Sequence, residues 1–179
     1  VAAGFAGGAA WGAIAGILKA RTGAHEVITT IMLNYIAYYL LNYALRSDAF
    51  QPEGRDDLIS KGVQNSARLP ELSIGELTVH AGLFLAIAAA VIIWWLLDRS
   101  TVGFRLKAVG ANPFAARYAG MSVGAIYVLA MVLAGGLAGL GGTVNILGRP
   151  SFSLSSQYYN FLGFDGIAVA LLARANTIG

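Results

Sequence analysis

Long apolar runs alternate with shorter polar ones along this chain. Residues 1–18, 27–45, 79–97 and 124–147 contain no Asp, Glu, Lys or Arg. Each is close to the roughly 20 residues that a helix needs to cross hydrocarbon. A fifth run, 161–173, has only thirteen residues and includes Asp165, so it re-enters the membrane or is completed by its flanks. Backbone polar groups in lipid must be satisfied within their own segment, which selects helices. The pattern predicts an all-α, polytopic helical membrane protein. It has about five membrane segments, and residues 1–179 belong to one domain. Trp94 and Trp95 close the third run, where interfacial aromatics belong.

Positions inside the runs add detail. Gly4, Gly8, Gly12 and Gly16 recur every fourth residue among Phe, Ala, Trp, Ile and Leu. On a helix they form one narrow stripe that lets another backbone approach closely. Gly135 and Gly139 do the same in the fourth run, with Ala134, Ala138 and Gly142 alongside. Thr30, Asn34, Tyr38 and Asn42 form a slanting polar stripe, since each fourth residue drifts about 40° around the helix. Asparagines in hydrocarbon need hydrogen bonds or water. The stripe is therefore either glue between helices or the lining of a path for a polar solute.

The connections differ in character. Residues 19–26, KARTGAHE, read as a short polar turn. His25 beside Glu26 has no third metal ligand nearby, and the pair reads as a helix start with Glu26 favoured by the helix dipole. Residues 46–78 hold six acids and four bases, read as an external loop that is either solvated or in contact with another protein. Residues 98–123 hold four bases, Arg99, Arg105, Lys107 and Arg117, against one acid, Asp98. Here Asn112 caps and Pro113 begins a short helix that runs through Phe114–Tyr118 and stops at Gly120. Its basic, small-residue surface suits docking. With residues 19–26 on the same side, that side carries six Lys and Arg in 34 residues, which puts the short helix in the cytoplasm.

Composition agrees: 57% of residues are apolar and 12% charged, against about a quarter charged in soluble domains. No cysteine is present, and the net charge is +3 without a basic face interleaved with aromatics, so nucleic acid is not an expected partner. No metal site is expected. The GLGG at 139–142 lacks the third glycine of a dinucleotide loop, Val144 standing in its place. No GxxxxGK[ST] loop occurs in the sequence, so ATP chemistry is not expected on this chain. The chain begins at Val1 without Met and ends at Gly179 just after an apolar run, which reads as a piece of a longer protein.

Three stretches carry a family resemblance: GAHEVITTIMLNYIA (23–37), GFRLKAVGANPFAARYAG (103–120) and GFDGIAVALLARAN (163–176). They resemble membrane permease subunits of bacterial ABC importers, in the branch for nucleosides, ribose-like sugars and branched-chain amino acids. The first stretch is most similar to the nucleoside type. The resemblance implies a multi-pass protein of the bacterial cytoplasmic (inner) membrane, not itself an enzyme, that imports a small polar solute, a nucleoside in the first instance. Its implied partners are an ABC ATP-binding subunit, a second permease subunit and an extracytoplasmic substrate-binding lipoprotein. ATP and Mg lie on the ATP-binding subunit, and no cofactor is bound by this chain. Residues 98–123 become the coupling loop, with Arg105, Lys107, Gly110, Asn112, Pro113, Ala115, Ala116, Arg117 and Gly120 in contact with the ATPase. Asn34, Tyr38, Asn42, Phe164 and Asp165 line the substrate path. A rival class is an ion-coupled secondary transporter, for which Asp165 is the one intramembrane ionisable residue. Another is a channel or membrane scaffold.

Overall fold

The computed structural model describes residues 1–47, 50, 59–64, 67, 69–74, 77–148, 153–154 and 162–173. Helices dominate: α1 (Ala2–Thr22), α2 (Glu26–Leu45), α3 (Ala81–Arg99), α4 (Thr101–Ala111), α5 (Pro113–Tyr118), α6 (Val123–Gly148) and α7 (Leu162–Leu172). A small antiparallel hairpin, β1 (Glu71–Ile74) and β2 (Leu77–His80), precedes α3, with Glu71 opposite His80 and Ile74 opposite Leu77. Helices α3 and α6 are long and apolar enough to cross a membrane, with only 6% and 17% of their apolar windows buried. A core helix of a soluble protein would be mostly buried, so these side chains look outward to lipid or to other protein.

Contacts divide the chain into two compact units, residues 1–33 with 85–144, and residues 34–84 with 145–179. In the first, α1 and α6 run antiparallel in backbone contact. A Cβ on Gly8 would collide with the Gly135 carbonyl oxygen and stand 2.8 Å from the Gly139 Cα. On Gly12 it would stand 3.1 Å from the Gly135 Cα, and on Gly16 2.8 Å from the Val128 Cα. Gly4 faces Thr143 and the Gly139 carbonyl in the same way. Four successive turns of α1 thus meet α6 closely, backbone against backbone at Gly8 and Gly12, with the Thr143 and Met131 side chains at the two ends. Lipid tails are as apolar as Leu, so this contact rests on van der Waals packing and on Cα–H groups facing carbonyls.

The loop-proximal end of the same unit is tied by charge and by a small core. Helix α1 continues through Lys19 and Arg21 to Thr22, and Gly23 ends it in the left-handed region with φ 68°. The polar turn expected at 19–26 is therefore only residues 23–25, because a lysine and an arginine in a last turn favour the helix dipole. Lys19 Nζ donates to Glu26 Oε2 at 2.5 Å and lies 5.8 Å over the Tyr127 ring. That hydrogen bond holds the Glu26 carboxyl below its ordinary value. A lowered folded-state value means that the stabilisation is present above the usual carboxylate range and lost as pH falls through the lowered value. Val109, Ala116, Val123 and Ile126 form a buried cluster flanked by Leu106, Met121 and Tyr127, which packs α4, α5 and the start of α6 together.

The second unit joins the two long polar connections. Ser60 N donates to the Leu154 carbonyl at 2.8 Å and Leu69 N to the Leu147 carbonyl at 3.3 Å. Leu154 N donates back to Ser60 Oγ at 2.8 Å. Ser60 and Leu69, within residues 46–78, are thus held against Leu154 and Leu147 instead of being wholly solvated. The third run begins later than expected: residues 79–80 belong to β2, and the helix starts at Ala81 and continues to Arg99. Residues 98–123, expected as a loop with one short helix, contain α4 as well. Ser100 caps α4, accepting from Gly103 N at 3.0 Å and donating to the Leu96 carbonyl at 2.6 Å.

The α1–α6 crossing makes a direct prediction. Gly8→Ala should lower the melting temperature of the detergent-solubilised protein by the equivalent of about 1–3 kcal/mol, since the obstructing atoms are backbone and cannot swing aside. Gly7→Ala should not destabilise, since a Cβ there would meet nothing within 4 Å. Equal melting of the two variants would place the crossing elsewhere.

Candidate functional site

The short helix α5 is built from its ends. Asn112 Oδ1 accepts from Phe114 N and from Ala115 N, both at 3.0 Å, and Pro113 takes the first helical position, where no amide is needed. At the other end Gly120 N donates to the Arg117 carbonyl and Met121 N to the Ala116 carbonyl, both at 3.0 Å. Gly120 sits at φ 80°. These paired bonds are the Schellman arrangement, which only glycine enters without strain. Six residues hold a helix because both ends are capped.

Sidedness separates the residues proposed from sequence. Ala116 is 4% exposed and belongs to the internal cluster, so it faces its own chain and is not available for contact with an ATPase. Its small size fits α5 onto α4 and α6. Asn112, Pro113 and Gly120 shape the helix. Ala115, Arg105, Arg117 and Gly110 are exposed, and a Cβ on Gly110 would meet nothing within 4 Å. Lys107 is paired with Asp98 at the end of α3, so its charge is engaged within the chain. Two residues not singled out in the sequence stand furthest out: Phe114 is 75% and Tyr118 95% exposed. Their i, i+4 spacing was the available signal.

On α2, Asn34 is exposed and Tyr38 half-buried. Asn42 Nδ2 donates to the Tyr38 carbonyl at 3.0 Å, while its Oδ1 is shielded from solvent with no hydrogen-bond partner. Asn145, near the end of α6, has the same kind of shielded, unpartnered Oδ1. A lone asparagine in an apolar run was its sequence signal. Asp165 is exposed in the first turn of α7, and no hydrogen bond or ion pair joins it to the α2 set among the described residues. Phe164 lies in α7. No group of three metal-ligating side chains occurs among the described residues.

These features define a polytopic helical membrane protein with a capped, outward-facing helix between two of its spans. Over residues 1–179 the chain matches the family described as branched-chain amino acid transport system / permease component, and it belongs to that family. It is 40% identical over 174 residues to the guanosine ABC transporter permease protein NupP of Bacillus subtilis, covering 97% of this chain and 50% of that protein. It is likewise 40% identical over 179 residues to the nucleoside ABC transporter permease protein NupB of Lactococcus lactis, covering 96% of this chain and 49% of that one. A glucose ABC transporter permease protein of Haloferax volcanii is 33% identical over 180 residues, 96% of this chain and 47% of its own. The chain spans about half the length of these relatives. No solved structure matches it.

Stability should separate the two sides of α5. Asn112→Ala should cost about 1 kcal/mol through the lost cap. Ala116→Glu should cost about 3 kcal/mol or more by placing a charge in the cluster. Tyr118→Ala should leave thermal melting unchanged. A Tyr118→Ala protein melting as low as Ala116→Glu would reverse the sidedness.

Proposed function

We propose that this chain is part of the transmembrane permease subunit of an ATP-driven importer that moves a nucleoside across the bacterial cytoplasmic membrane. The observation that carries this reading is 40% identity, over nearly the whole chain, to two permeases named for guanosine and for nucleosides. The transporter pairs two permease subunits with two ATP-binding subunits, on which ATP and Mg are held, and receives solute from an extracytoplasmic lipoprotein. The permease crosses the membrane several times and performs no covalent chemistry.

In this reading α5 seats in a groove of the ATP-binding subunit. Phe114 and Tyr118 anchor it, Arg105 and Arg117 supply orienting charge, and Ala115 and Gly110 permit close approach. Exposed aromatics flanked by Arg are the residue types that carry binding energy at interfaces. A push on α5 passes through Ala116 to Val123 and Ile126 at the start of α6. It reaches α1 through the glycine contacts. Rigid packing makes this set a lever, because close-packed elements shift as bodies and do not deform smoothly. Asn34, Tyr38 and Asn42 on α2 offer uncharged donors and acceptors to the solute, and Phe164 and Asp165 add a second wall.

Uptake of labelled guanosine by cells carrying the complete transporter tests the assignment. The expected result is ATP-dependent guanosine uptake. Uptake of glucose, ribose or leucine without any nucleoside would overturn the substrate while leaving the permease family in place. Asn34→Leu should slow nucleoside uptake several-fold with little change in the half-saturating concentration, and Asn34→Gln should be mild. The double change Phe114→Ala with Tyr118→Ala should cut solute-stimulated ATP hydrolysis by about tenfold or more, as loss of an aromatic anchor does. Normal hydrolysis by that variant would remove α5 from the coupling role.

A further inference from the structure

Helix α2 carries a second column of side chains beside the asparagines. Tyr35, Tyr39 and Tyr43 recur every fourth residue. At about 100° per residue they lie next to Asn34, Tyr38 and Asn42, so polar and aromatic side chains share one half of the helix. Across residues 33–44 the other half is Leu33, Ile36, Ala37, Leu40, Leu41 and Ala44. The three tyrosines are 57%, 69% and 79% exposed.

Depth decides what this face meets. Tyr35 stands midway along a helix of 20 residues, about 14 Å from either end. Its hydroxyl is too deep to reach the interface, where tyrosine is favoured. Turned to hydrocarbon, the hydroxyl would forfeit its hydrogen bond. The apolar half of α2 is the face suited to lipid, and the tyrosine half is suited to a wet passage. The Tyr39 ring is also set edge-on to Tyr38, with centroids 5.7 Å apart and planes at 67°, which fixes the face it presents.

Resting on the nucleoside reading above, we infer that the Tyr35–Tyr39–Tyr43 column is a stacking wall that selects solutes carrying a flat heteroaromatic ring. A nucleobase has a flat π-face to stack, which a free sugar lacks. Every base offers a π-face to an aromatic side chain, so stacking tolerates base identity, and a larger ring system gains more from it.

The test uses the complete transporter, with its ATP-binding subunits and delivery protein, in cells without other nucleoside uptake. Initial rates for guanosine and uridine at saturating concentration are normalised to permease present in the membrane. Tyr35→Leu should lower the guanosine rate about five- to tenfold, and the uridine rate less, while Tyr35→Phe, which keeps the ring, should stay within about twofold of wild type. Equal losses in the Leu and Phe variants would assign the effect to the hydroxyl and overturn the stacking wall. A Tyr35→Leu protein reduced in amount but unchanged in rate per permease would also overturn it, showing a packing face. A wild type that imports no nucleoside sinks the functional reading and this inference together. Nucleoside import that is indifferent to Tyr35→Leu sinks this inference alone.

Discussion

Close approach of α1 to α6 over four turns, with bare backbone against bare backbone at Gly8 and Gly12, is the contact on which the first unit depends. In a bilayer no gain in apolar burial draws two helices together, so association needs closeness, and closeness needs residues without side chains. Gly8 and Gly12 face Gly135 and Gly139 directly, and Gly16 faces Val128 and Met131. Gly136 makes room for the Phe5 ring from the same helix pair. The contact carries no charge, and its one side-chain polar group, the Thr143 hydroxyl opposite Gly4, donates to the Gly139 carbonyl of its own helix at 2.8 Å. It fixes α6, and α6 in turn presents Val123 and Ile126 to Ala116 of α5.

The placement of α5 follows from that arrangement. A six-residue helix has too few internal hydrogen bonds to persist alone. Asn112 and Gly120 satisfy its ends, and the cluster around Ala116 holds its inner face. What remains outside is Phe114, Ala115, Arg117 and Tyr118. A helix pinned on one face and aromatic on the other transmits force well, since its inner contacts are close-packed and its outer ones are available to a partner. In the proposed transporter these two faces are the two ends of the coupling path.

Polar groups in the second unit follow a different logic. The connections after α2 and α6 pair through Ser60, Leu69, Leu147 and Leu154, which satisfies backbone amides where no helix or sheet ladder does. Asn42 and Asn145 keep shielded amide oxygens without partners. Such oxygens are costly unless something supplies a donor. On α2 the shielded Asn42 oxygen lies on the same half of the helix as the tyrosines.

Much of this was legible from local chemistry. The apolar runs fixed where the helices lie to within a few residues, because the need to satisfy backbone groups in lipid acts on each segment separately. Asn112-Pro113 and Gly120 marked the ends of α5, because capping is a property of a few adjacent residues. The glycine spacing showed that α1 offers a face for close approach, but not that α6 is what meets it, since a stripe on one helix does not name its partner. Helix α4 was less legible because Gly103 and Gly110 lower its helix propensity and its Ser100 cap sits inside a charged stretch. The hairpin before α3 was hidden because Val79 and His80 continue the apolar run without a break in pattern. Whether Ala116 faced a partner or its own chain, and whether Lys107 was available or held by Asp98, could be decided only by tertiary structure. Composition states what a residue is able to touch, whereas burial depends on how the neighbouring helices, α4 with Val109 and α6 with Ile126, fold back over it.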